Sequence, residues 1–261
     1  MSDIPVCIDI SHHQGNCDFD EVARSGVKGI IHKCSEGTSF VDQMRAENCS
    51  NAIKAGLAVS TYHWLSPGSN ARAQMEFYLS LLDPVEGERV VIDYEQDGCT
   101  LAMLKDAIQA LLDYKHNLQI TVYSGHLLKE QLSGRDDYLA ENCDLWLAQY
   151  TSGTPSWETA TWPQWALWQY SESGTIPGID DAYVDLNHFN GDDEAFLTWI
   201  SPKDARPPKP VPPPEPQEVV DVTIKTSENV AVQVWVNGTE VRRSRRLRRQ
   251  VKRGPDLFWR R

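Results

Sequence analysis

Asp93 and Glu95 are the residues of this chain best placed to do chemistry. They close the stretch Glu88-Arg-Val-Val-Ile-Asp-Tyr-Glu-Gln-Asp97, in which Val90, Val91 and Ile92 read as a buried strand. Side chains two apart on a strand share a face, so both carboxylates point the same way, with Cα atoms roughly 6.6 Å apart. Carboxylates at the end of a buried strand are costly to desolvate, so their presence there points to a reaction rather than to packing. Two acids among aromatic residues suit cleavage of a glycosidic bond. One protonates the leaving oxygen; the other stabilises the oxocarbenium-like centre, attacks it, or activates water. The acid of such a pair needs a raised pKa, which Val91, Tyr94 and neighbouring carboxylates are expected to supply by desolvation and like charge. Asp97 falls past the strand end and reads as a loop residue.

An acid pair needs a scaffold to hold it. Apolar runs predict strands at Val6–Ile10, Gly29–Lys33, Leu57–Trp64, Arg89–Tyr94, Gln119–Tyr123, Leu145–Tyr150, Gln164–Tyr170 and Ala182–Leu186. Helices are predicted over Asp18–Ser25, Asp42–Ala55, Asn70–Leu82 and Thr100–His116, then a short one reaching Leu132 and a terminal one over Asp192–Ile200. Strands alternating with helices imply parallel βαβ units, and eight strands predict an α/β, TIM-like closed barrel with helices after only the first five. The working face of such a barrel is the C-terminal end of its strands. Asp9, Tyr62, Asp93, Glu95, Tyr123, Tyr150, Tyr170 and Asp185 all fall at or near predicted strand ends, so residues scattered through the sequence converge.

Composition limits the alternatives. The 261 residues carry a net charge of −12, unevenly spread: residues 1–201 hold 11 Lys and Arg against 30 Asp and Glu, whereas residues 237–261 hold 10 basic and 2 acidic residues. An acidic bulk does not suit nucleic acid, and none is expected as a partner. Residues 202–216 contain eight prolines and read as a semi-rigid linker. Beyond it, Val219–Thr226 and Val230–Val236 alternate as strands, Asn237-Gly238 is a hairpin turn signal, and Thr239–Arg242 returns. This divides the chain into a barrel over 1–201, a linker over 202–216 and a small β-rich, basic appendage over 217–261. The basic run Arg242–Arg261 suits either a solvated tail or contact with an anionic cell envelope. The six cysteines (7, 17, 34, 49, 99 and 143) form no CxxC pair and are expected to be reduced. The seven histidines show no HExxH spacing, so neither a metal nor another cofactor is expected. Lys33 and Glu36 suit an internal ion pair, Trp146 and Trp168 suit core positions, and His12-His13 suits a loop. The N-terminus shows no basic region followed by an apolar one, and no run long enough to span a membrane is present.

Eight short motifs, in order, resemble one family. They are Asp9-Ile-Ser11 with Gly15, Lys33-Cys-Ser-Glu-Gly37, Tyr62-His-Trp64, Asp93-Tyr-Glu95, Tyr123-Ser-Gly125, Leu145-Trp-Leu-Ala-Gln-Tyr150, Leu167-Trp-Gln-Tyr170 and Val184-Asp-Leu-Asn187. Together they resemble the Chalaropsis-type lysozymes, glycoside hydrolase family 25, over about residues 4–200. The resemblance implies a flattened (β/α)5(β)3 barrel and an N-acetylmuramidase that cuts the β-1,4 bond between N-acetylmuramic acid and N-acetylglucosamine in peptidoglycan. It implies Glu95 as catalytic acid, with Asp93 as the partner that orients or stabilises the N-acetyl group as it attacks the anomeric carbon. Direct attack by a carboxylate stays open. It further implies cleft contacts from Asp9 and Asp185 and a sugar subsite lined by Tyr62 and Tyr123; Trp64, which stands where the family more often has Phe, and the strand-end residues Tyr150 and Tyr170 are expected to join them in binding substrate. A non-catalytic glycan-binding barrel is the competing reading, and the intact acid pair argues against it. A wall-degrading enzyme of this kind without a signal segment suggests a phage or prophage endolysin, made in the cytoplasm and acting at the bacterial cell wall after release through a holin or similar route.

Overall fold

The computed structural model describes residues 4–201, apart from the side chains of 180–182, and the backbone of Trp235–Val236 and Thr239–Glu240. The chain begins with strand β1 (Cys7–Ile10), helix α1 (Phe19–Arg24), strand β2 (Gly29–Glu36), a two-residue strand β3 (Phe40–Val41) and helix α2 (Arg45–Lys54). Strand β4 (Ala58–Trp64), helix α3 (Ala71–Leu82), strand β5 (Arg89–Asp93) and helix α4 (Leu101–Tyr114) follow. Next come β6 (Gln119–Ser124), α5 (His126–Gln131), α6 (Asp137–Asn142), β7 (Asp144–Ala148), β8 (Leu167–Ile176), β9 (Ile179–Phe189) and α7 (Asp193–Ile200).

Eight of these strands close into a barrel. From β1 through β2, β4, β5, β6 and β7 to β8 every pairing is parallel, and β9 closes the ring antiparallel to both β8 and β1. The reversal comes from a hairpin turn at Pro177-Gly178. Gly178 has φ 91°, and a Cβ there would lie 2.3 Å from the Asp18 carbonyl oxygen. The turn docks on the start of α1, where the Asp18 amide donates to the Gly178 carbonyl at 2.8 Å.

Strand alternation sorts the side chains. Along β5, Val90 and Ile92, with Tyr94 after them, face out into a core shared with Leu79, Leu104, Ile108 and Leu111 of α3 and α4. Val91 faces inward with Cys7, Ile31 and Leu167. The N-terminal end of the barrel is plugged by α7, whose Phe196 and Ile200 complete that inner cluster. Arg89, 5 % exposed, braces the plug: its Nε donates to the Trp199 carbonyl at 2.6 Å and its Nη1 to Thr121 Oγ1 at 2.6 Å and Asp144 Oδ2 at 2.9 Å. Its guanidinium also sits 3.9 Å from the Trp199 ring centroid. Among the described residues, no helix is long and apolar enough to cross a membrane.

Several boundaries differ from those predicted. Strand β2 runs on to Glu36, with a register shift between Lys33 and Ser35, rather than ending at Lys33. Helix α2 starts at Arg45, not Asp42, because the Asp42 carboxylate is already engaged: it accepts from the amides of His12 and Met44 and hydrogen-bonds His12 Nδ1. Helix α6 forms in a stretch read as loop, and the strands predicted at Gln164–Tyr170 and Ala182–Leu186 extend through the residues between them to meet as the β8–β9 hairpin. All six cysteines are free.

Cα packing divides the chain into Met1–Pro213 and Pro214–Arg261. In the second unit Trp235 pairs with Glu240 and Val236 with Thr239, antiparallel, on either side of Asn237-Gly238. The remaining predictions for that segment fall outside the described residues, as does the Pro202–Pro216 linker.

Candidate active site

The C-terminal end of the parallel strands opens into a cleft with a cavity volume of about 170 Å³. Its acids are Asp9 from β1, Asp93 at the end of β5, Glu95 just beyond it, and Asp185 from β9. Tyr62, Trp64, Tyr123, Trp146 and Gln169 supply walls, and Ser11, His13 and Gln14 form a rim. That rim is a single 3-10 turn, His12–Gln14, held by a reciprocal cap in which Ser11 Oγ accepts from the His13 amide and Gln14 Oε1 from the Ser11 amide.

Glu95 lies outside the regular strand but is pinned from both sides. Before it, the Tyr94 amide donates to the Tyr123 carbonyl at 2.8 Å, and Ser124 Oγ donates to the Tyr94 carbonyl at 2.6 Å. The Tyr94 hydroxyl donates to Gln131 Oε1 at 2.8 Å. After it, Trp64 Nε1 donates to Gln96 Oε1 at 2.9 Å. A carboxylate on a backbone held this way keeps its aim without being part of a sheet.

Charge in the cleft is poorly compensated. Asp93 is 5 % exposed, and its Oδ1 is buried with no hydrogen-bond partner. Burial, then the Glu95 charge, pushes its carboxyl well above the ordinary range. Glu95 is raised as well, by burial first, then by Asp185 and, more weakly, Glu172, with His126 and Lys33 opposing. Two neighbouring acids raised together hold on to a proton between them. Tyr94, expected to help raise Glu95, instead faces out of the barrel. Lys33 is the cation opposing both acids, but its Nζ is committed to Glu36 at 2.7 Å and lies 4.8 Å from the Trp64 ring centroid.

Asp9 and Asp185 face each other in register across β1 and β9, and their carboxyls hydrogen-bond. Asp9 also accepts from Gln169 Nε2, at 3.1 Å to each oxygen, and from Asn187 Nδ2 at 2.8 Å. The amides are oriented by their other ends. Trp146 Nε1 donates to Asn187 Oδ1 at 2.7 Å, and the hydroxyls of Tyr123 and Tyr150 donate to Gln169 Oε1 at 2.8 and 2.9 Å. Burial raises both acids, but donated hydrogen bonds restrain Asp9 to about 6, whereas burial and the Asp9 charge lift Asp185 to about 9. The pair therefore retains a shared proton, with Asp185 the more strongly raised of the two.

The structure brings together Asp9, Tyr62, Trp64, Asp93, Glu95, Tyr123 and Asp185. Asp185 reaches the cleft from the middle of an antiparallel strand rather than from a strand's C-terminal end. Tyr150 is a half-exposed neighbour that joins through its hydroxyl alone. Tyr170 is not in the cleft: it stacks on His188 at 4.1 Å and 12° and meets Trp168 edge-on, on the outer face of β8. The period of two explains this, because Tyr170 shares a face with Trp168 and Gln169 takes the inner one. Gln169 and Asn187 were missed as site residues, although each sits in a quoted motif and the same alternation points Asn187 inward with Asp185. Trp146 is both core and cleft wall, 1 % exposed. Lys33–Glu36 is the expected ion pair, and Asp97 is an exposed loop residue.

Comparison with known proteins gives the family and the fold. The family model described as glycosyl hydrolases family 25 matches residues 8–179. Lysozyme M1 of Streptomyces globisporus is 25% identical over 199 residues, covering 70% of this chain and 67% of the relative. The crystal structure of a bacterial lysozyme from Streptomyces coelicolor superposes with a TM-score of 0.68 at 25% identity, covering 77% of this chain and 98% of that one. The CTP1L endolysin superposes with a TM-score of 0.61 at 26% identity, covering 74% of this chain and 68% of that one.

Proposed function

This chain belongs to glycosyl hydrolases family 25, a muramidase family acting on peptidoglycan, and from that premise we propose that it cuts the β-1,4 bond after N-acetylmuramic acid, with Glu95 as proton donor and Asp93 as its acidic partner. The observation that carries the assignment is the buried Asp93 carboxylate oxygen without a partner, beside a Glu95 carboxyl that burial and Asp185 also raise, in the same cleft. Glu95 enters neutral and gives its proton to the leaving glycosidic oxygen. As positive charge grows at the anomeric carbon, the Asp93 acceptor becomes engaged, either by the acetamido N–H of a sugar whose carbonyl oxygen attacks or by the carbon itself. Tyr62, Tyr123 and Trp64 shape the sugar site; Asp9 and Asp185 form its polar wall. Digestion of purified peptidoglycan followed by mass spectrometry of the new reducing ends tests the reaction. N-acetylmuramic acid at those ends is expected; N-acetylglucosamine there would contradict it.

The same reading extends to biology. Similarity to the CTP1L endolysin and the Pro-rich stretch before a basic segment support an endolysin that reaches the wall through a holin or similar route. Expression in a bacterial host should cause lysis only with a co-expressed holin. The ten basic residues of 237–261 support contact with anionic envelope polymers. Such contact weakens with salt, so retention on cell walls should fall on deleting 217–261 and fall for the parent as salt rises.

A further inference from the structure

We propose that Gln169 is a positioning residue for this reaction, setting the hydrogen-bond sense of the wall formed by Asp9, Tyr123 and Tyr150 so that the wall accepts and does not donate. The inference deepens the muramidase reading and rests on it. Gln169 is 2 % exposed and uses both ends of its amide. Its Nε2 donates to both Asp9 oxygens, so its Oε1 must face the other way, where it accepts from the hydroxyls of Tyr123 and Tyr150.

A phenol has one proton to give. The Tyr123 and Tyr150 hydroxyls both reach Gln169 Oε1 and also hydrogen-bond each other, so their two protons stay within this cluster and toward the cleft their oxygens offer lone pairs only. Asp9, which already receives Gln169 and Asn187, is likewise an acceptor. One buried amide thus gives three side chains from β1, β6 and the end of β7 the same polarity. An accept-only wall fits sugar groups that carry N–H or O–H, and leaves bare carbonyl or ether oxygens without a donor. Reversing a buried polar contact of this kind discriminates strongly, because the mismatched group is left unpaired.

Gln169→Glu tests this. A protonated glutamic acid has the same pattern, an O–H to donate to Asp9 and a carbonyl to accept from the two phenols. Once ionised it has no donor, and it faces Asp9 on β1 and Asp185 on β9, with Asp93 and Glu95 at β5. Lys33 on β2, paired with Glu36, and His13 on the rim are the nearby groups able to carry positive charge. Q169E should therefore approach parental activity on purified peptidoglycan at acid pH. As pH rises through the new group's pKa, the variant-to-parent ratio of kcat/KM should fall about tenfold per unit. Gln169→Leu should lose activity at every pH.

A merely structural Gln169 predicts that any loss in Q169E, at whatever pH, follows a lowered Tm and that folded Q169L keeps near-parental kcat/KM; that result overturns the proposal. If Q169L does not fold, Q169E alone decides. Parental activity is measured in the same series, and a parent that releases no muramic acid reducing ends sinks the muramidase reading rather than the role of Gln169.

Discussion

The two ends of this barrel bury charge in opposite ways. At the N-terminal end Arg89 is surrounded by partners: a carbonyl, a hydroxyl, a carboxylate and an indole face. Burial lowers its pKa only to about 10, so it stays charged. At the C-terminal end four acids share a cleft in which one carboxylate oxygen has no partner and the nearby lysine is already paired. The strands are the same and the alternation is the same. What differs is whether the buried charge is satisfied by the fold or left for something that arrives. The satisfied end stabilises; the unsatisfied end costs stability and is available for chemistry.

Substitutions can break or sharpen that contrast. The largest effect on turnover is expected at Glu95. Glu95→Gln keeps size and removes the transferable proton, and should lower kcat on peptidoglycan about 10²–10⁴-fold, the usual worth of a general acid, with the circular dichroism melt retained. The largest effect on stability is expected at the other end. Arg89→Ala removes the brace under α7 and should cost about 2–4 kcal/mol in denaturant unfolding, while kcat of the folded fraction changes less than about twofold. A large kcat loss there would mean that the two ends are not separable.

A smaller and pH-dependent effect is expected at Asp185. Its carboxyl moves from 3.8 to about 9 on folding, so the folded state holds a proton that the unfolded chain releases. That contribution is whole below the unfolded value and is lost as pH rises toward 9. Asp185→Asn should remove this loss, so the Tm difference from the parent should grow as pH increases from 5 to 9. A difference that is flat or shrinks would contradict the shared proton. The smallest effect is expected at Tyr170, on the outer face of β8. Tyr170→Ala should leave KM for soluble peptidoglycan fragments within about twofold and lower stability by about 1 kcal/mol, the typical cost of a partly buried substitution.

Tyr170 also shows where the sequence was legible and where it was not. The barrel was readable because its strands alternate with helices whose starts are marked by good caps, Asp18, Asn70 and Thr100 among them. The acid pair was readable because two carboxylates at a strand end have no packing role. The β8–β9 hairpin was harder: its strands are bulged, and Pro177-Gly178 announces a turn but not that the strand after it returns antiparallel to close the barrel. Hence Asp185 was placed at a strand end when it sits mid-strand. Tyr170 was expected in the cleft because it falls at the end of a predicted strand, whereas the strand runs on to Ile176 and turns it outward. Trp168, already read as core, carried the signal that its neighbour two residues on must face away from the cleft. Asp42 shows the reverse case, where a residue suited to start a helix is engaged by His12 across the rim.

The claim that the C-terminal end trades stability for chemistry is tested most directly by Asp93→Asn, with thermal melting and peptidoglycan cleavage measured on the same preparation. The amide keeps the shape but removes the ionisable group whose pKa burial raises. The account predicts that Tm at neutral pH rises while kcat falls by about 10²-fold or more. A variant that melts lower than the parent, or one that cleaves at the parental rate, would contradict it.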